Sequence, residues 1–367
     1  MDQPIESKRL LSIDVYRGSI MVLLMLESTG LYDHLVAFSE GSFLYSFFIQ
    51  FTHHPWNGLR FWDLIQPGFM FIAGTAMALS LHKQKLAGIN WTQSLAKTAK
   101  RSGWLFFWGV LDYAVRSNGL SFELWDVLTQ LSFTLFVAFL IFEWSIQSQI
   151  LFSIGLLVIT ELLYRFSGIA GFNQPFVDQH NLGNYMDLLL MNKISSGGWV
   201  AINCLPTAAH TIWGVVAGKI LLGDWNQKKK VTVFLTAGVA CLALGYLMDE
   251  TLTPIIKRIA TSSFVIASGG WCLIGLAFFY WWIDVKLHVT NWHFITVVGM
   301  NSIFIYLFFE IVGGRWFNGY ISAIVGGLLA LIHLPDPLIL LLSSLAIFFL
   351  EWYMCQFLWR KKIFFKL

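Results

Sequence analysis

Apolar runs of about twenty residues, the length that crosses a bilayer as a helix, recur from one end of this chain to the other. Spans are predicted near 18–37, 61–81, 102–116, 125–143, 149–167, 199–222, 231–248, 262–283, 294–312 and 338–358. Such a chain has little choice of fold, because backbone placed in lipid must satisfy its own hydrogen bonds. The expectation is an all-α, polytopic transmembrane helical bundle. Composition agrees: 57% of the 367 residues are hydrophobic and 12% charged, against about 45–50% and about 25% in soluble domains. That supply of charge cannot coat a soluble core, which excludes a soluble enzyme, a disordered chain and a nucleic-acid binder. The 33 Phe and 17 Trp suit contact with lipid and its interfaces.

A further apolar piece, 320–333, is broken by Gly326 and Gly327 and ends at His333, just before Pro335 and Pro337. It is short for a crossing and is expected at the far surface or re-entering. With the N-terminus in the cytoplasm, 17 of the 24 Lys and Arg then fall inside. An eleventh span would carry Arg360, Lys361 and Lys362 outside. The positive-inside rule therefore favours ten spans over eleven, with both termini cytoplasmic. The first eleven residues lack the apolar core and cleavage site of a signal peptide, so the first span is read as retained. Cys204, Cys241, Cys272 and Cys355 show no paired or metal-ligand spacing, so neither a disulfide framework nor a metal site is expected. One integral domain over 1–367 is predicted, with segments 38–60 and 168–198 folded over the extracytoplasmic face.

Ionisable groups at membrane depth are costly, so each is a candidate for function. Asp14 and Arg17, three residues apart, share one helical face at the cytoplasmic start of span 1. They form either a local anchoring pair or the mouth of an anion site. Glu27 and Ser28 lie midway along that span. The most concentrated stretch runs from His53 and His54 through Trp56, Asn57 and Gly58 to Asp63, just before Pro67 and Gly68. Histidine titrates nearest neutrality and suits a base or nucleophile, and a carboxylate such as Asp63 would orient its ring. Interfacial histidines beside Trp also occur with no chemistry at all. Lys219, near a helix end, is either an anion ligand or a side chain reaching for the interface. Asn301 and Ser302 are either ligands or glue between helices, with Glu310 further along the same span.

The pattern Arg9, Ser12, Asp14, Arg17, Gly18, then His53, Trp56, Asn57, Gly58, Leu59, Asp63, Leu64, Pro67, Phe69, Phe71 and Gly74, resembles the heparan-α-glucosaminide N-acetyltransferase family. The likeness continues through Gly214 to Leu222, Pro254 with Lys257 and Ser263, Asp284 with Lys286, and Gly299 to Ser302 with Glu310 downstream. His54 has no counterpart in that pattern, and Ser28 beside Glu27 stands where the family commonly has Asn. The compact length resembles a bacterial form, expected in the inner (cytoplasmic) membrane.

The resemblance implies transfer of an acetyl group from cytosolic acetyl-CoA to an amino sugar on the opposite face. It makes His53 the catalytic histidine and Asp63 its carboxylate. Arg17, with Asp14 beside it, Lys219 and Lys286 would form the coenzyme A site, the phosphates resting on the three cations. Asn57 would stabilise an oxyanion, Trp56 would offer its face to a sugar ring, and Ser28, Glu27, Asn301 and Glu310 would line the acceptor path. The implied partners are acetyl-CoA, an extracytoplasmic amino sugar or glycan, the lipid bilayer and a second copy in a homodimer, with no nucleic acid and no metal. Transfer to nitrogen or to oxygen, and an acetyl-histidine or a direct route, both stay open. The alternative is a transporter or flippase for a sugar or lipid-linked glycan; such proteins tend to show paired broken helices in matching halves, which this sequence does not.

Overall fold

The computed structural model describes residues 10–114 and 120–365, so Lys8, Arg9, Arg116 and Lys366 of the charge count lie outside the described residues. The described chain is helical throughout. Helix α1 (Leu11–Ser28) turns by 67° into α2 (Leu31–Ser39) through Gly30, whose φ is +76°. A short α3 (Tyr45–Phe48) leads to the loop before α4 (Ile65–Leu86), which opens on a 3₁₀ turn at Phe61–Leu64. Then come α5 (Trp91–Ala114), α6 (Val127–Leu140), α7 (Ile146–Phe166), α8 (Leu182–Met191), α9 (Cys204–Leu222), α10 (Gln227–Thr251) and α11 (Ser262–Phe279). The last four are α12 (His293–Met300), α13 (Ser302–Phe308), α14 (Asn318–Ala330) and α15 (Asp336–Arg360). Wide π-helical turns follow α11 at Tyr280–Val285 and join α13 to α14 at Phe309–Phe317.

Helices α4 and α9 pack along each other at the centre. They come so close that a Cβ on Gly74 would collide with the Thr211 carbonyl, and one on Gly214 with that of Phe71. Small residues let transmembrane backbones approach in this way. Gly18 of α1 and Gly299 of α12 make the second such crossing. By contrast α7 and α10 turn Leu151, Ile159, Val239 and Leu247 outward, as helices facing lipid do.

Among the described residues six helices are long and apolar enough to cross a membrane, and eight if each bent pair counts as one span. A count of ten also needs α5, whose first half carries Lys97, Lys100 and Arg101, and α6, which has only 14 residues. The span expected at 294–312 is not one helix, because the chain breaks at Asn301 with a bend of 77°. The 320–333 piece is the end of the helical run that starts at Ser302. The first span likewise starts earlier than expected: α1 begins at Leu11, and its first two amides donate to the Asp284 carboxylate at 3.1 and 3.2 Å. A carboxylate there satisfies orphan donors and opposes the helix dipole.

Candidate active site

The loop Thr52–Arg60 carries His53 to the end of α1 and is tied down at three places. Arg60 Nη1 donates to Thr52 Oγ1 and to the His53 carbonyl, each at 2.8 Å. Gly58 N donates to the Ile255 carbonyl at 2.8 Å, so Asn57 bridges to Ile256. Trp56 Nε1 donates to the Phe176 carbonyl at 2.7 Å. Gly58 is required twice over: its φ is +143°, and a Cβ would lie 2.6 Å from His54 Nε2.

Asp63 is the third residue of the 3₁₀ turn that opens α4 and is 1% exposed. Its Oδ2 accepts from Arg60 N at 2.9 Å and His54 N at 3.2 Å, and its Oδ1 lies 3.0 Å from His53 Nδ1. A third group arrives from the α10–α11 loop. Lys257 Nζ stands 3.1 Å from His53 Nδ1, 3.6 Å from Asp63 Oδ1 and 5.4 Å from the centre of the Trp199 ring. Thr261 fastens that loop, donating to the Pro254 carbonyl at 2.7 Å and accepting from Ile256 N at 3.0 Å.

An ionised carboxylate only accepts, so the contact with Asp63 puts the ring proton on Nδ1 and leaves the lone pair on Nε2. The Lys257 protons then point to Asp63 and the indole face. Burial, and next the Lys257 ammonium, hold His53 below its ordinary value against the pull of Asp63. Burial brings Lys257 down to about 8, opposed by the Asp63 charge. His54 is also held low, by burial and by Arg60. At neutral pH the ring is therefore unprotonated at one nitrogen, beside a lysine that is still mostly an ammonium.

His53 faces a cavity of about 280 Å³ that follows α4 from Trp62 to Phe69, about 10 Å at 1.5 Å per residue. Glu27, Gln66, Asp126, Gln130, Tyr306 and Glu310 give it polar walls, and Trp62, Trp125 and Trp199 give it flat ones. Tyr306 donates its hydroxyl to Asp126 at 2.9 Å, and Gln66 donates to Gln130. The Glu27 side chain is open to this space.

Of the residues singled out from the sequence, His53, Glu27 and Glu310 thus line one cavity, with Asp63 against His53. The others sit elsewhere. Trp56 anchors its loop to the 168–198 segment, and Asn57 is exposed beside Ile256. Ser28 donates to the Met25 carbonyl, and its own carbonyl accepts from Asn318. Asn301 bonds the backbone of Ile363 and Phe365. Arg17 pairs with Asp14 at 3.0 Å, Lys219 donates to the carbonyls of Phe142 and Trp144, and Lys286 lies over Trp281. These three cations are at the end of the bundle away from His53: Asp14 is thirteen residues from Glu27 along α1, about 20 Å, Lys286 follows the Asp284 that closes the start of α1, and Lys219 follows Gly218, which packs on Ala78 far along α4.

Lys257 and Trp199 were missed as site residues. Lys257 carried a signal, because the resemblance already ran through it with Pro254 and Ser263. Trp199 carried none, because a single Trp in an aromatic-rich chain stands out from nothing.

The fold and the cavity define a polytopic helical membrane protein with a His–Asp–Lys centre. No protein-family profile matches the chain. Two curated proteins do: heparan-alpha-glucosaminide N-acetyltransferase of Mus musculus, 25% identical over 370 residues, and that of Homo sapiens, 26% over 367. Each alignment covers 83% of this chain, and 54% and 53% of the respective relative, so the chain spans about half their length. The chain is thus similar, over most of its own length, to the heparan-alpha-glucosaminide N-acetyltransferases of mouse and human.

Proposed function

We propose that this chain is a membrane acetyltransferase that moves an acetyl group from acetyl-CoA on the cytoplasmic side to an amino sugar, or a sugar hydroxyl, of a glycan on the other. The observation that carries the reading is His53, which lines the cavity while its Nδ1 rests on Asp63. The kinship with two N-acetyltransferases supports it. In direct transfer, the acceptor nitrogen or oxygen attacks the thioester carbonyl while Nε2 takes its proton. The imidazolium, stabilised by Asp63, returns that proton to the departing thiolate. In the two-step route Nε2 itself attacks the thioester carbonyl and expels the coenzyme A thiolate, and the acceptor then takes the acetyl group from Nε2 as its own proton passes to the ring. Both begin from the same lone pair. Lys257, as an ammonium beside the ring, favours the developing oxyanion.

Ten crossings with both termini on the acetyl-CoA side put the Arg17 end at the cytoplasm. Phosphates then rest near Arg17, with Lys219 and Lys286 adding charge, while the neutral pantetheine arm runs up between helices toward the cavity. Glu27 and Glu310 face the acceptor. The test is reconstitution into vesicles with labelled acetyl-CoA on one side and glucosamine on the other. Labelled product that vanishes in His53→Ala is expected. Passage of unmodified sugar without acetyl transfer would overturn the proposal in favour of transport.

A further inference from the structure

Next to the His53 cavity lies a separate groove of about 720 Å³ between α1, α4 and α11. Its floor is one stripe of α1, from Tyr16 to Leu23, about 10 Å long. Trp271 and Phe278 form an exposed aromatic rim. Almost every lining group is apolar until the end near the catalytic loop, where Arg60 and Gln50 stand. Ile65 lines both the groove and the cavity, so one side chain separates them.

Among the described residues the Arg60 guanidinium forms no ion pair. Its Nη1 donates to two neutral oxygens, Thr52 Oγ1 and the His53 carbonyl. Asp63 is engaged through the Arg60 backbone amide instead, and among the described residues no carboxylate bonds the guanidinium. A bare guanidinium at the head of a hydrocarbon-lined groove is complementary to a phosphate ester that bears a long chain. The same arginine holds the backbone of His53. Whatever is attached beyond that phosphate therefore arrives at the mouth of the cavity.

We infer that the groove binds the hydrocarbon chain of a lipid-linked acceptor, a sugar joined to its lipid through a phosphate that sits on Arg60. This rests on the acetyltransferase reading and narrows its acceptor. An ordinary membrane phospholipid would use the chain and the phosphate but bring no sugar to His53.

The test has a binding arm and an activity arm. The full chain in phosphatidylcholine nanodiscs is exposed to a photoreactive dodecyl phosphate and to the matching dodecanol. The phosphate is expected to label Trp271 and Phe278 peptides at least about tenfold more, the equivalent of one charge-assisted hydrogen bond. Arg60→Gln should erase that preference, and Ser19→Phe, which fills the floor, should reduce labelling by both probes. Equal labelling, or a preference that survives Arg60→Gln, overturns the site. Competition by phosphatidylglycerol as strong as by dodecylphospho-glucosamine assigns the groove to ordinary lipid and overturns the acceptor inference. In the activity arm, dodecylphospho-glucosamine should show a lower KM than dodecyl glucosaminide. Acetylation of free glucosamine with no such advantage overturns the lipid-linked acceptor alone. Intact labelling without acetylation of any sugar overturns the acetyltransferase reading instead.

Discussion

The two ends of the bundle handle charge differently. At the His53 end, groups from two distant stretches of chain, His53 with Asp63 and then Lys257, converge within 3.6 Å. At the other end Arg17, Lys219 and Lys286 each answer to separate partners: a carboxylate one turn away, the carbonyls at the α6–α7 turn, and an indole. Bond-making demands fixed mutual geometry, and positions off by an ångström are costly. Attracting a mobile phosphate demands only positive charge within a screening length of about 8–10 Å. The contrast is what a reaction at one end and charged anchoring at the other would require.

The largest expected effect tests the tight end. His53→Ala should lower acetyl transfer about 10²–10⁴-fold, the range of a lost general base, and Asp63→Asn should follow because the ring loses its acceptor and its preferred tautomer. A fully active His53→Ala protein would break the comparison outright.

Next comes pH. The acid limb of kcat/KM should lie below the ordinary histidine value, because burial and Lys257 lower His53. The alkaline limb should fall near pH 8, where Lys257 gives up its proton. Lys257→Met removes a cation beside the ring, so the acid limb should move to higher pH and the alkaline limb should disappear. An unchanged profile would strip Lys257 of its place in the centre.

At the dispersed end, Arg17→Ala should raise the KM for acetyl-CoA about tenfold while leaving that for the acceptor unchanged, as for one lost charged contact. Equal change in both would sink the assignment. The smallest effect belongs to Lys219→Gln. Its ammonium closes the carbonyl end of α6, so the expected loss is about 1 kcal/mol in unfolding stability with little change in KM. A KM change as large as that of Arg17→Ala would show that the cations act as one site after all.

How much of this was legible in the sequence follows from chain distance. The His53–Asp63 pair was readable because both residues sit within ten positions of each other, on one loop and the turn it enters. Glu27 and Glu310 were flagged because carboxylates at membrane depth are rare enough to stand out. The helical class was fixed by the apolar runs. The helix breaks were not: Asn301 bends the chain because its amide bonds the backbone of Ile363 and Phe365, more than sixty residues on. The same holds for Trp56, which reads as a sugar platform until its indole is found holding Phe176. Contacts across such separations leave no periodic trace, so local spacing could propose these residues but not place them.

The Asp284 carboxylate that closes the start of α1 is 273 residues downstream of the Leu11 amide it accepts from. Ribosomes add about 5–20 residues per second, so α1 waits about 15–55 s after its own synthesis for that partner to exist. The earliest described helix is among the last to be finished. Until then its exposed amides, and the Asp14–Arg17 turn just beyond them, belong to an immature protein, and a chain interrupted before residue 284 would display an open N-terminus for quality-control factors to find.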